Sequence, residues 1–127
     1  MAKTKPWGTT ETLYLDDRVH IERIAVKCGG YCSRHYHRNK CNAFWVLDGV
    51  LAVMIDGHET VYLGAHGGTL SVPSGQVHQF IAMSTVEAIE IYKACPETAI
   101  DLRDIHRFSE GGIASDPRVH DNLCGRP

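Results

Sequence analysis

Short runs rich in β-branched and aliphatic residues recur along the chain, at positions 12–15, 19–27, 31–37, 42–47, 50–55, 58–63, 69–72, 77–83 and 86–92. Several alternate apolar with polar residues, which puts every second side chain on one face of a sheet. Turn chemistry separates them: Gly29-Gly30, Asp48-Gly49, Asp56-Gly57, the loop from Gly64 to Gly68, and Pro73-Ser74-Gly75. Asp-Gly between apolar runs marks a hairpin, because a type I′ turn needs positive φ at both central positions. About nine short strands at regular spacing are the signature of an all-β sandwich or barrel. Residues 98–108 are the exception, where Ile100, Leu102 and Ile105 predict a short helix of imperfect period. After Gly111-Gly112 the tail is rich in Gly, Asp and Pro and lacks periodicity, which predicts a loosely ordered segment or one packed over the barrel mouth.

Bulk properties narrow the classes. A chain of 127 residues is one domain's worth, and 43% hydrophobic with 22% charged residues is ordinary for a globular protein. The formal net charge is -2 and no block of Lys or Arg occurs, so nucleic acid and anionic membranes find no electrostatic partner. Neither a signal-peptide pattern at the N-terminus nor a run long enough to span a bilayer is present. Cysteines at 28, 32, 41, 95 and 124 are odd in number and lack C-x-x-C spacing. Reduced thiols and a cytoplasmic location are therefore expected.

Histidine changes the picture. His35 and His37 are two apart in an extended segment, so both imidazoles leave the same face and can reach one cation at ~2.0–2.1 Å. His78 follows the Pro73-Ser74-Gly75 turn at the start of another strand. A pair of strand histidines alone is a weak signal, and the distant third makes the set specific. His58 belongs to a turn, and His20, His66 and His120 lack partners at ligand spacing. Imidazole donors suit one divalent transition metal ion (zinc, iron, nickel, cobalt, copper or manganese) better than magnesium or calcium.

These positions resemble the two motifs of the cupin superfamily. The first, G-x5-H-x-H-x3,4-E-x6-G, is matched by Gly30, His35, His37, Asn42 and Gly49, with Gly30 one residue too close to His35. The second, G-x5-P-x-G-x2-H-x3-N, is met by Gly67, Pro73, Gly75 and His78, with Ala82 at its last place. The resemblance implies a single-domain all-β cupin over residues 1–127, a double-stranded β-helix or jelly-roll barrel. Its core covers about 10–95, followed by a C-terminal extension at 96–127. It also implies a metal held by His35, His37 and His78, with Asn42 as a weaker donor in place of the usual glutamate. Cys41 points the other way in a regular strand, and only a bulge brings it in.

Within the cupins the chain is similar to the C-terminal cupin of type II mannose-6-phosphate isomerases, which are often fused to a mannose-1-phosphate guanylyltransferase. The similarity is carried by Pro6-Trp7-Gly8, the strand from Arg23 to Lys27 with Gly29-Gly30, Ser33-Arg34-His35-Tyr36-His37, Val72 to His78, Ala88-Ile89-Glu90-Ile91, and Asp104 to Phe108 with Glu110. It implies a sugar or sugar-phosphate isomerase or epimerase-like reaction, a small carbohydrate substrate and a homodimer. Glu90 is then the base that moves a proton between adjacent carbons, and Lys40 or Arg107 meets an anionic group. The chain departs from that family at Asn42 and at Ala114, where the family has an arginine that only Arg118 could replace. An Fe(II)-dependent dioxygenase and a non-catalytic sugar-binding or regulatory cupin stay open. So do plain roles: Glu90 as a structural carboxylate, Arg107 as a tie to the barrel, Lys40 as a solvated loop lysine, and Trp7, Phe44 and Phe80 as core or pocket walls.

Overall fold

The computed structural model describes residues 2–64 and 68–116, and among them every regular element is a strand. In chain order these are β1 (Ala2–Lys5), β2 (Gly8–Leu15), β3 (Val19–Val26), β4 (Gly30–Tyr31), β5 (His35–Tyr36), β6 (Lys40–Asp48), β7 (Val50–Ile55), β8 (Val61–Gly64), β9 (Thr69–Val72), β10 (His78–Ala82), β11 (Val86–Ala94), β12 (His106–Arg107) and β13 (Gly112–Ile113). One antiparallel sheet runs β1-β2-β3-β11-β6-β9. The other runs β12-β5-β10-β4-β13, with β7 pairing both β10 and β8. This is the expected all-β jelly-roll arrangement. No helix among the described residues is long and apolar enough to cross a membrane.

Alternation decides what faces inward. Along β6, Lys40, Asn42, Phe44 and Val46 are buried, and Trp45 between them is exposed. Along β11, Val86, Ala88 and Glu90 are buried, and β3 buries His20, Ile24 and Val26 in the same way. The residues toward one end are apolar: Ile24, Val26, Val46, Val86 and Ala88 pack with Leu51, Val53 and Phe80 of the opposite sheet. Each large side chain of this kind contributes about 1.5–3 kcal/mol when fully buried. Toward the other end the inward positions are His20, Glu22, Tyr92, Glu90, Asn42 and Lys40, which register places side by side on three strands. The barrel is thus dry at its base and polar at its mouth.

Three expectations change. Residues 98–108 form turns leading into β12 instead of a helix. Leu102 is exposed, and Asp104 spends its carboxylate on the backbone N–H groups of Arg38 and Asn39 across the barrel. Tertiary hydrogen bonds thus replace the intrahelical ones. Asp48-Gly49 is not a hairpin: β6 and β7 lie in different sheets, and the pair is the corner between them. The amide that follows it is taken by a remote side chain, Val50 N–H donating to Ser84 Oγ. Lys40 opens β6 as a buried residue and is not a solvated loop lysine. Asp56-Gly57 does sit in the loop joining the paired strands β7 and β8. Strands β12 and β13, from the expected extension, hydrogen-bond to β5 and β4. His66, Gly67, Arg118, His120 and Cys124 lie outside the described residues.

The two Asp-Gly turns predict different mutational costs. Gly49 and Gly57 both have positive φ, 83° and 82°. A methyl group at Gly49 would meet the Thr85 carbonyl oxygen, and one at Gly57 would meet nothing within 4 Å. Gly57→Ala is expected to cost about 1–2 kcal/mol from its backbone conformation alone. Gly49→Ala should cost distinctly more, read as a lower denaturation midpoint. Equal losses would show that the corner yields freely.

Candidate metal centre

Backbone pairing assembles the three histidines. His35 in β5 stands directly opposite His78 in β10. His37 lies just past β5, and its carbonyl accepts the N–H of Gly75 at 2.7 Å, tying it to the turn that leads into β10. The ring centroids are 4.9 Å apart for His35 and His37, 4.5 Å for His35 and His78, and 5.4 Å for His37 and His78. One nitrogen from each ring lies within 4.8 Å of the other two. Bonds of about 2.0–2.1 Å to a common ion would draw them slightly closer.

Hydrogen bonds fix which nitrogen faces the centre. His35 Nδ1–H donates to the Ser33 carbonyl at 2.7 Å, His37 Nδ1–H to the Asp104 carbonyl at 2.8 Å, and His78 Nδ1–H to the Gln76 carbonyl at 2.9 Å. A carbonyl only accepts, so each neutral ring carries its proton on Nδ1 and a lone pair on Nε2. Nε2 of His37 and of His78 are buried and have no hydrogen-bond partner. Buried polar atoms are rarely left so. Burial, and next the neighbouring imidazoles, push His35 down to about 3, and burial pushes His37 to about 4 and lowers His78. At neutral pH all three are therefore uncharged donors, and the set fits a divalent ion that accepts imidazole nitrogen.

The centre opens on a cavity of about 460 Å³. His35 lines it, Trp7, Phe44 and Phe80 form an apolar wall, and Glu22 and Glu90 stand on the polar side. Trp7 and Phe80 meet edge to face at 5.1 Å, in keeping with their role as pocket walls. Asn42 is fully buried, its Nδ2 donates to Glu90 Oε2 at 2.9 Å, and its Oδ1 has no partner. Burial, then the facing Glu22, raise Glu90 to about 7, against hydrogen bonds from Tyr92 and Asn42. Lys40 donates to the Asp101 carbonyl at 3.1 Å and lies 4.6 Å above the Tyr92 ring. Arg107, on β12 opposite His35, lines the cavity. Cys41 faces away and shares its thiol proton with the Lys93 carbonyl, and His58 is exposed beside its turn. No disulfide joins the described cysteines.

Sequence reading named Asp104 and Ser33 only as motif positions, without a role, and missed Glu22 and Tyr92. Asp104 and Ser33 act through carbonyls, which leave no mark on residue type. Glu22 and Tyr92 had a usable signal, since each shares strand parity with a named residue, Ile24 or Glu90.

Acid should destabilise the metal-free protein. In the unfolded chain these imidazoles titrate near 6.5, and in the fold His35 and His37 titrate near 3 and 4. Between those values the unfolded chain binds protons that the fold refuses, so stability is full above about pH 6.5 and falls as pH drops toward 3–4. Glu90 works in the opposite sense between 4.5 and about 7, losing stability as pH rises, but it is one group against three. Denaturant midpoints across this range are expected to fall with acid. A midpoint that rises on acidification would overturn the assignment of neutral buried imidazoles.

The chain is 26% identical over 106 residues to alginate biosynthesis protein AlgA of Pseudomonas syringae pv. tomato, covering 84% of the chain and 21% of that protein. It is 30% identical over 74 residues to mannose-1-phosphate guanylyltransferase of Escherichia coli K12, covering 58% of the chain and 15% of that protein. The chain thus spans about a fifth or less of the curated relatives it matches. Among solved structures, Pac13 from Streptomyces, described as a nucleoside dehydratase, superposes with a TM-score of 0.71 at 12% identity, over 87% of this chain and 85% of that one. That likeness concerns the fold alone. The cupin domain profile matches residues 23–92, from β3 to the end of the polar stretch of β11, and the chain belongs to the cupin family.

Proposed function

We propose that the chain is a metal-dependent enzyme of the sugar isomerase or epimerase kind, with His35, His37 and His78 as metal ligands. The observation that carries this reading is the convergence of three neutral, deprotonated Nε2 atoms beside a cavity that also presents Glu90. A bound divalent ion supplies Lewis acidity toward a substrate oxygen. Asn42, whose Nδ2 is held by Glu90, offers its partnerless Oδ1 as a fourth, weaker donor. An amide in place of a carboxylate leaves the cation's charge undiminished.

Proton movement falls to Glu90. Its affinity for the proton, raised to about 7, lies near neutral pH, where a general base works best. It takes the proton from a carbon next to a carbonyl and returns it to the neighbouring carbon or the opposite face. Trp7, Phe44 and Phe80 offer an apolar wall to the C–H face of a sugar and keep water away. A carbohydrate substrate is supported by the relatives, whose names concern alginate biosynthesis and mannose 1-phosphate.

Two measurements check this. Elemental analysis of purified variants should show metal lost from His78→Ala and kept by His58→Ala, and equal contents would remove the site. Metal-loaded protein incubated in deuterated water with a panel of aldoses, ketoses and their phosphates should place solvent deuterium next to the carbonyl. Glu90→Gln should abolish that exchange with metal content unchanged. A panel without any exchange, or ligands bound and released unaltered, would contradict an isomerase.

A further inference from the structure

Glu22 lines the cavity from a strand of the barrel, directly opposite Glu90 in the β3–β11 ladder. Directly opposed residues on one face have Cβ atoms about 4.5–5.5 Å apart, so one small substrate can touch both carboxyl groups. The neighbouring inward pair of the same ladder, His20 and Tyr92, is stacked with ring centroids 5.5 Å apart. His20 Nε2 lies 3.4 Å from Glu22 Oε1 and 3.0 Å from Thr12 Oγ1, which ties the Glu22 carboxylate to its own sheet. Of the three carboxylates lining the cavity, the third, Glu110, is exposed in a loop. Tyr92 commits its hydroxyl to Glu90, and Arg107 keeps its protons at any working pH. Asn42, fully buried next to Glu90, holds Oδ1 without a partner, a sign that something bound completes this wall.

The chemistry of sugar interconversion asks for a second carboxylate here. Changing an aldose into a ketose needs two proton transfers, one between carbons and one between oxygens. Epimerisation at a single carbon needs only the first. Glu90 takes the proton from the carbon that bears the hydroxyl. The C–H electron pair becomes a carbon–carbon double bond, and the carbonyl π pair moves onto its oxygen. While Glu90 holds the carbon's proton, another group must carry the hydroxyl proton to that oxygen. The hydroxyl oxygen then re-forms a carbonyl at its own carbon, and the double-bond pair takes the proton from Glu90 at the other. Both carboxylates return to their starting states, and no oxidant or reductant is consumed.

We infer that Glu22 is this second group: it takes the hydroxyl proton of the substrate and delivers it to the former carbonyl oxygen, which makes the reaction an isomerisation and not an epimerisation. This rests on Glu90 being the carbon-side base beside the histidine centre. The two roles divide between the strands, with the carbon proton handled from β11 and the oxygen proton from β3.

The two transfers are separable by experiment. Zinc-loaded wild type, Glu22→Gln and Glu59→Gln are incubated in deuterated water with the panel of aldoses, ketoses and their phosphates. Glu22→Gln should lose aldose–ketose conversion by about a hundredfold or more, the scale of a general acid–base group. It should still place solvent deuterium next to the carbonyl. Glu59→Gln, in the exposed loop between β7 and β8, should match the wild type in both readouts. Conversion that persists in Glu22→Gln, exchange that disappears together with conversion, or a wild type that only epimerises would overturn the assignment. A wild type without any exchange would instead remove the isomerase reading, and calorimetry then judges the Glu22 contact by itself. Mannitol, an uncharged polyol that cannot be isomerised, should bind the metal-free protein. Glu22→Ala should weaken that binding by about tenfold, the loss of one charge-assisted hydrogen bond. No binding, or equal binding by the two proteins, would overturn the contact.

Discussion

Three hydrogen bonds from Nδ1–H groups to backbone carbonyls hold the functional end of this barrel in order. Each imidazole is aimed by a main-chain carbonyl at 2.7–2.9 Å, and Ser33 Oγ adds a contact of 3.1 Å to His35 Nδ1. The acceptors, Ser33, Gln76 and Asp104, come from segments that the sheet and the C-terminal stretch lock in place. Ser33 and Gln76 lie two residues before the histidines they orient, so the extended backbone itself sets those rings. Asp104 is remote, and its carboxylate clamps Arg38 and Asn39 as its carbonyl aims His37. Donor geometry of this kind fixes the tautomer and raises the basicity of the free nitrogen.

The cost of this arrangement is a barrel interior that is apolar only at one end. Glu90, Lys40, Asn42, Gln79 and four histidines are buried, and several of their polar atoms lack partners. Unmatched buried groups oppose folding, and the dry base of the barrel and the long β3–β11–β6 ladder offset them. Local stability and site chemistry are thus drawn from opposite ends of the same strands. Parity along β11 shows the division in one element, where Val86 and Ala88 pack in the core and Glu90 and Tyr92 face the cavity.

How much could be read from residues alone follows from the range of the interactions. His35, His37 and His78 were legible because ligand spacing and turn chemistry are local. Strand positions were legible for the same reason, since alternation needs only neighbours. Asp48-Gly49 misled because a positive φ serves a cross-sheet corner as well as a hairpin, and the sequence does not say which strand will pair. The stretch 98–108 misled because Asp104 bonds residues more than 60 positions away, and the pull of those bonds outweighs a weak helical period. Lys40 reads as a loop lysine until the Tyr92 ring and Asp101 carbonyl close over it.

X-ray absorption at the metal edge of the loaded protein tests the centre most directly, because it reads donor type and distance together. Three imidazole nitrogens at about 2.0–2.1 Å, with any remaining donors oxygen, are expected. A shell of oxygen alone, or one containing sulfur, would mean that His35, His37 and His78 do not hold the ion, and the chemistry built on them would have no site.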